Sequence, residues 1–160
     1  MIAIKPHHFV DILTALGEDR TQSEPHPYGH AVHLVAAEIL ANPEVQLRIE
    51  LGADDICAPC RHNAGGLCDD TIDTSFRPQA PSSKREWNLR IDRRWCQRLV
   101  IQQDDCLTAR EFCLLIRERA GDLSDIYREI APQQTAQRQS QLTRGIARFL
   151  ELASQVRHNE

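Results

Sequence analysis

The sequence predicts a mostly α protein with a minimal two-stranded sheet (α+β): a β-α-α-β N-terminal half carrying a cysteine loop, then a helical C-terminal half. Three observations predict this. Apolar residues recur at helical spacing along most of the 160 residues. Only two short segments, Ile2 to Ile4 and Val45 to Leu51, read as strands. Two Ser/Thr-x-x-Glu patterns, at Ser83 and Thr108, mark helix starts in the second half. The length suits one domain over residues 1–160, with a motif-bearing half at 1–70 and a helical half at 83–156.

Taken in order, Ile2-Ala3-Ile4 is a strand closed by Pro6, and Phe9, Ile12, Leu13 and Leu16 then mark one helix face, which Gly17 ends. Glu18 to Gly29 is polar and contains prolines, hence a loop. His30 to Leu40 reads as a helix apolar nearly all round and therefore buried. Val45 to Leu51 alternates without a break. Asp69 to Ser82 is a loop with Pro78 and Pro81. A helix from Ser83 carries the stripe Trp87, Ile91, Trp95 and Leu99. Another from Thr108 carries Phe112, Leu115 and Ile116, with Gly121 beyond its last turn. A short helix spans Ser124 to Ile130. A last one, from Thr135 to Val156, has Leu142, Ile146, Phe149, Leu150 and Ala153 on one face.

Two strands joined by two helices can pair in parallel through a right-handed crossover, which puts both strand ends at one sheet edge, where ligand sites gather. Lys5-Pro6-His7-His8 leaves the first strand, and Gly52 to Cys57 leaves the second. The pairing predicts that the histidine pair and the cysteine loop are neighbours.

Cys57, Cys60 and Cys68 fall within a dozen residues. A C-x-x-C knuckle turns two thiolates to one side, Pro59 stiffens it, and Gly65-Gly66 lets the chain fold back so that Cys68 reaches the same centre. Buried free thiols are the bland alternative, and a disulfide has no support from compartment. A zinc ribbon wants a second C-x-x-C, whereas iron–sulfur clusters tolerate irregular spacing, so a cluster, 4Fe–4S, is favoured over zinc. Cys96, Cys106 and Cys113 read as small core residues; Cys96 alone stands off the tryptophan stripe. His7 and Asp11 sit one turn apart, His8 lies beside them, and His30 and His33 share a helix side. These five are candidates for a polar, proton-moving pocket. His26 reads as a loop residue. Asp54-Asp55 and Asp69-Asp70 bracket the knuckle as ligand-orienting groups, proton carriers, or helix or turn caps.

No signal-peptide pattern or membrane-length segment is visible, so the expectation is a cytoplasmic protein with no membrane partner. A net charge of −4 argues against nucleic-acid binding. The run Lys84 to Arg98, with six basic residues against two acidic, reads as a solvated helix face, with an anion site as the alternative. The remaining partners are a small-molecule substrate or a redox partner protein.

Lys5-Pro6-His7-His8-Phe9, Asp54-Asp55-Ile56-Cys57-Ala58-Pro59-Cys60 and the downstream Cys68 resemble a family of small prokaryotic proteins, domain of unknown function twelve-eighty-four, described as iron–sulfur binding. The resemblance covers about the first half of the chain and implies a site but no substrate. Members carry a cysteine three residues after the second histidine, where this chain has Asp11. That departure leaves three options for the fourth cluster position: Asp11 through oxygen, Cys96 as a replacement, or an open iron. Cys96 is the expectation, giving a four-sulfur site of Cys57, Cys60, Cys68 and Cys96. The function expected is a cytoplasmic cluster-binding protein, a cluster-dependent enzyme with a His/Asp-lined pocket. The alternative is a non-catalytic adaptor or sensor with a structural zinc or cluster.

Overall fold

The computed structural model describes residues 1–20 and 24–158; the part of the predicted first loop at 21–23 lies outside them. Strands Ile2–Ile4 (β1) and Gln46–Ile49 (β2) pair in parallel, Ile2 opposite Leu47 and Ile4 opposite Ile49, as the crossover requires. A third strand, Cys106–Thr108 (β5), lies antiparallel on the other edge of β2 with Arg48 opposite Cys106. The main sheet therefore has three strands in the order β1-β2-β5 rather than the two expected. Three residues are too few to show a period, and Thr108 at their end also signals a helix cap. Cys106, expected in the core, is exposed. Between β2 and the second half, Asn63–Ala64 (β3) and Leu67–Cys68 (β4) form a hairpin. Its turn, Gly65-Gly66, holds φ of 62° and 89°, a two-residue turn that side chains resist.

The first helix, Pro6–Gly17 (α1), opens on proline, whose missing N–H costs nothing there, and buries Phe9, Val10, Ile12 and Leu13. Helix Val32–Ala41 (α2) is shorter than expected: His30 precedes it. It is also one-sided rather than buried all round, with Val35 and Ile39 inside and Leu34 63% exposed. Helix Lys84–Leu99 (α3) is capped by Ser83, which accepts from Glu86 N at 3.2 Å, and buries the whole Trp87/Ile91/Trp95/Leu99 stripe. Helix Ala109–Arg119 (α4) has the full Thr108/Glu111 capping box. The helix expected at Ser124–Ile130 is a single 3-10 turn, Leu123–Asp125. The last helix, Pro132–His158 (α5), begins three residues earlier than expected because Pro132 suits a first-turn position, and it buries Leu142, Ile146, Phe149 and Ala153.

The core forms around α1. Phe9 stacks on Phe112 of α4 at 4.7 Å between ring centroids and meets Phe149 of α5 edge-on at 6.2 Å. The basic face of α3 is not left to solvent: Arg94 makes two 2.7 Å bonds to Glu129, and Trp95 Nε1 donates to Tyr127 OH at 3.1 Å. These ties fix the 123–130 segment over α3. No described helix is long and apolar enough to cross a membrane.

Candidate functional site

The parallel strand ends deliver the two motifs to one place. Asp54, leaving β2, is 1% exposed, and its carboxylate accepts from Lys5 N (2.8 Å), Cys57 N (2.9 Å) and the His8 imidazole at Nδ1 (2.7 Å). Burial alone would raise its pKa, but His8 and the two N–H donors hold it well below the usual carboxylate range. One buried carboxylate thus binds the end of β1, the start of the knuckle and the start of α1.

Cys57, Cys60 and Cys68 all line a cleft of about 830 Å³, and all three also line a smaller cavity of about 110 Å³ beside it. Local hydrogen bonds put them there: Cys60 N donates to Cys57 O (2.9 Å), closing the knuckle, and Asp69 N donates to His62 O (3.0 Å), bringing Cys68 back. Lys5 is only 6% exposed, and its Nζ lies 3.5 Å from Cys57 Sγ. Burial pushes the Cys57 thiol up to about 12, with Asp54 adding to the rise and Lys5 opposing it. Lys84 pairs with Asp70 at 2.8 Å and stands within electrostatic reach of Cys68. Among the described residues, one trio of ligand atoms lies within 4.8 Å of one another: His8, Asp54 and Cys57. The donor set suits a thiolate-bound metal, with soft sulfurs on one wall and an ammonium already beside one of them.

Five of the seven histidines line the cleft: His7, His8, His26, His30 and His62. His7 is buried, and its Nδ1 bonds both oxygens of Asp92 (2.9 and 2.8 Å), while its backbone N–H donates to Asp92 Oδ1 at 2.8 Å. Desolvation lowers the His7 pKa, but the Asp92 charge and hydrogen bond outweigh it and the net shift is upward. With Nδ1 of His7 and of His8 each held by a buried carboxylate, the remaining nitrogen, Nε2, is left for chemistry. His62 departs from this: its Nδ1 meets the exposed Asp69 carboxylate at 2.9 Å and its Nε2 accepts from Arg61 Nε at 3.3 Å. His30 differs. Its Nδ1 is buried without a partner, and burial together with His26, His8 and Lys84 pulls its pKa down to about 4.

Of the residues expected at the site, the structure brings together Cys57, Cys60, Cys68, His7, His8, Asp11 and His30. It does not bring Cys96 or His33. Cys96 is buried on the correct face of α3, sharing it with Leu89, which lines the small cavity. It lies seven residues further on, two turns or about 10 Å along the axis, which puts it beyond the cysteine wall. His33 stays half-buried in α2, away from the cleft. Asp11 is engaged by Arg138 of α5 at 2.7 Å and is not a spare oxygen ligand. His26, read as a plain loop residue, stacks on His30 at 3.8 Å and lines the cleft. Sequence reasoning missed Lys5, His62, Asp92 and Arg138, and reached Lys84 only through the anion-site alternative for its basic run. The available signals were the contiguity of Lys5 with the histidine pair and of His62 with Cys60.

Comparison with protein-family models, with curated proteins and with solved structures finds no match to this chain.

Proposed function

We propose that the chain holds a thiolate-ligated metal centre, a 4Fe–4S cluster, on Cys57, Cys60 and Cys68 at the wall of a small-molecule cleft, and that it works in the cytoplasm as a cluster-dependent enzyme. The observation that carries this is Lys5. Lys5, a residue 6% exposed, sets its Nζ on a neutral thiol, a weak acceptor, while the nearby Asp54 carboxylate is already bonded by His8 and two backbone N–H groups. Metal ligation makes Cys57 a thiolate and turns the same contact into a charge-assisted N–H···S bond. Lys84 supplies a second countercharge near Cys68. The resemblance of the Pro6-His7-His8 and Cys57-Ala58-Pro59-Cys60 segments to domain of unknown function twelve-eighty-four points the same way. His8 is the fourth ligand in this reading in place of Cys96, since Asp54 holds its Nδ1 and its ring is the imidazole near Cys57.

A bound cluster would supply electron transfer or, at an exposed iron, Lewis acidity. The chain's own residues would do the rest. His7 holds a proton that Nε2 can give or take, and Asp92 fixes its ring. The cleft is large enough for a small organic substrate. A second reading, a non-catalytic adaptor or sensor stapled by zinc, is favoured by the compactness of the His8/Asp54/Cys57 trio. A single tetrahedral zinc needs its sulfurs about 3.8 Å apart, given Zn–S bonds of about 2.3 Å. The three cysteines do not gather that closely, so the cluster is preferred.

Anaerobically purified protein is expected to be brown, with iron and sulfide in equal amounts. Cys57→Ser, Cys60→Ser and Cys68→Ser should each lose most of the metal, while Cys96→Ala keeps it. Full retention in all three serine variants would reject the centre. Colourless protein with one zinc would move the reading to the adaptor.

A further inference from the structure

The cleft is lined by four cations, Lys5, Arg77, Lys84 and Arg138, and by three acids, Asp11, Glu24 and Asp70. Arg138 is matched by Asp11 and Lys84 by Asp70, and Lys5 rests on Cys57. Arg77 is different. Its guanidinium lies 4.8 Å from the Phe76 ring centroid and 5.6 Å from that of Trp87, and Nε donates to the Asp73 carbonyl at 3.0 Å. Among the described residues no carboxylate forms an ion pair with it; the acid within its electrostatic reach is Asp73, whose carbonyl it already bonds. The planar face is covered by the rings while the terminal N–H groups keep their donors for a further acceptor, the arrangement in which arginine grips carboxylate or phosphate.

Two more observations converge on the same cleft. Lys84 is the first residue of α3 and Arg85 the second; Lys84 N donates to Asp70 O and Glu86 N to Ser83 Oγ, which leaves the Arg85 N–H as the free donor of that end among the described residues. Cations at that end oppose the macrodipole, and an anion in front of them relieves the conflict. His30 lines the same cleft as a wall, its Nδ1 sealed from solvent and its ring stacked under His26 at 3.8 Å.

We propose that the cleft binds a small oxyanion, the carboxylate or phosphate group of a low-molecular-weight compound, gripped by Arg77 and by Lys84 at the start of α3. This names the ligand class of the small-molecule cleft and rests on that part of the functional reading, not on the metal.

The test is isothermal titration of the full chain, as purified and after chelation, with succinate and with inorganic phosphate at low ionic strength. Saturable one-site binding of at least one probe is expected, and the preferred probe tells carboxylate from phosphate. Arg77→Met should weaken it about tenfold or more, the scale of one lost charge-assisted hydrogen bond. Lys84→Met should also weaken it, Arg77→Lys should recover part of the loss, and metal content should not change in any of them. Two results overturn the proposal: neither probe saturating the wild type, or both methionine variants binding as tightly as the wild type. Anion binding by protein that is purified with neither iron nor zinc would fault the metal reading alone, whereas binding kept after chelation is expected.

Discussion

Asp92 sits in sequence among Arg90, Arg93 and Arg94, yet it is fully buried and serves α1 rather than its arginine neighbours. Its carboxylate caps the His7 N–H at the helix start, where a donor has no intrahelical partner, and pins the imidazole. Asp92→Asn in metal-free protein should cost about 3 to 5 kcal/mol in urea unfolding, the range for breaking one side of a buried pair. The pH dependence follows from the upward shift of His7 from 6.5, to which Asp11 also contributes and which Lys5 opposes. A proton held more tightly in the folded state than in the unfolded chain stabilises fully below the unfolded pKa, and that contribution fades as pH rises through the folded one. The gap between wild type and Asp92→Asn should therefore be wider near about pH 5.5 than near about pH 9. An equal gap at both would mean that His7 carries no proton for Asp92 to hold. The cysteine knuckle and the histidine pair were legible because their chemistry is local, set by spacing and neighbouring turns. Asp92 was not: its partner is 85 residues away, and a lone acid in a basic run looks like surface.

Helices show themselves through the period of what they bury, and α1, α3, α4 and α5 appeared in the sequence where Phe9, Trp87, Phe112 and Leu142 and their repeats fall. What the period cannot show is how close two helices come. Gly17 reads as a simple stop for α1, but a Cβ there would overlap the Gln141 carbonyl of α5, and one at Gly145 would overlap the Leu13 carbonyl of α1. The two backbones touch through paired glycines, and α5 adds Arg144 Nε to Gly17 O (3.1 Å) and Arg148 to Leu16 O (2.6 Å). In an isolated helix Gly→Ala gains about 1 kcal/mol. Here the added methyl meets backbone, which cannot swing aside, so Gly145→Ala should lose about 1 to 3 kcal/mol instead. Thr143→Ala, on the exposed side of the same helix, is the control and should change little. Thermal or urea unfolding checks the sign, and a stabilised Gly145→Ala would mean that the helices stand further apart. β5 escaped notice for a related reason: its pairing with Gln46, Leu47 and Arg48 is written across some sixty residues, not within its own three.

At the scale of the molecule, the cleft is where separate parts of the chain are obliged to meet. Its walls come from the start of α1, the segment before α2, the cysteine hairpin, α3, Tyr127 and Arg138 of α5. Each wall is anchored elsewhere: α1 and α5 through their glycines, α3 through Arg94 to Glu129, the hairpin through Asp54 and Asp70. The cysteine wall is the least supported of these, with Gly65, Gly66 and Leu67 exposed and two-residue strands. A metal that ties Cys57, Cys60 and Cys68 to one another, and through His8 to α1, would join the weakest wall to the strongest. Ligation that occurs only in the folded chain adds its binding free energy to stability, about 2.7 kcal/mol at a hundred times Kd, or roughly 5 to 10 °C in Tm for a chain of this length. Loading metal-free protein anaerobically with iron and sulfide, or with zinc, should therefore raise Tm by that amount. The shift should vanish in Cys57→Ser and survive in Cys96→Ala. Amide hydrogen exchange should slow between Asp54 and Asp70 and at the first turn of α1, leaving α4 as it was. An unchanged Tm, or protection confined to the hairpin, would mean that the metal does not couple the cysteine loop to the rest of the fold.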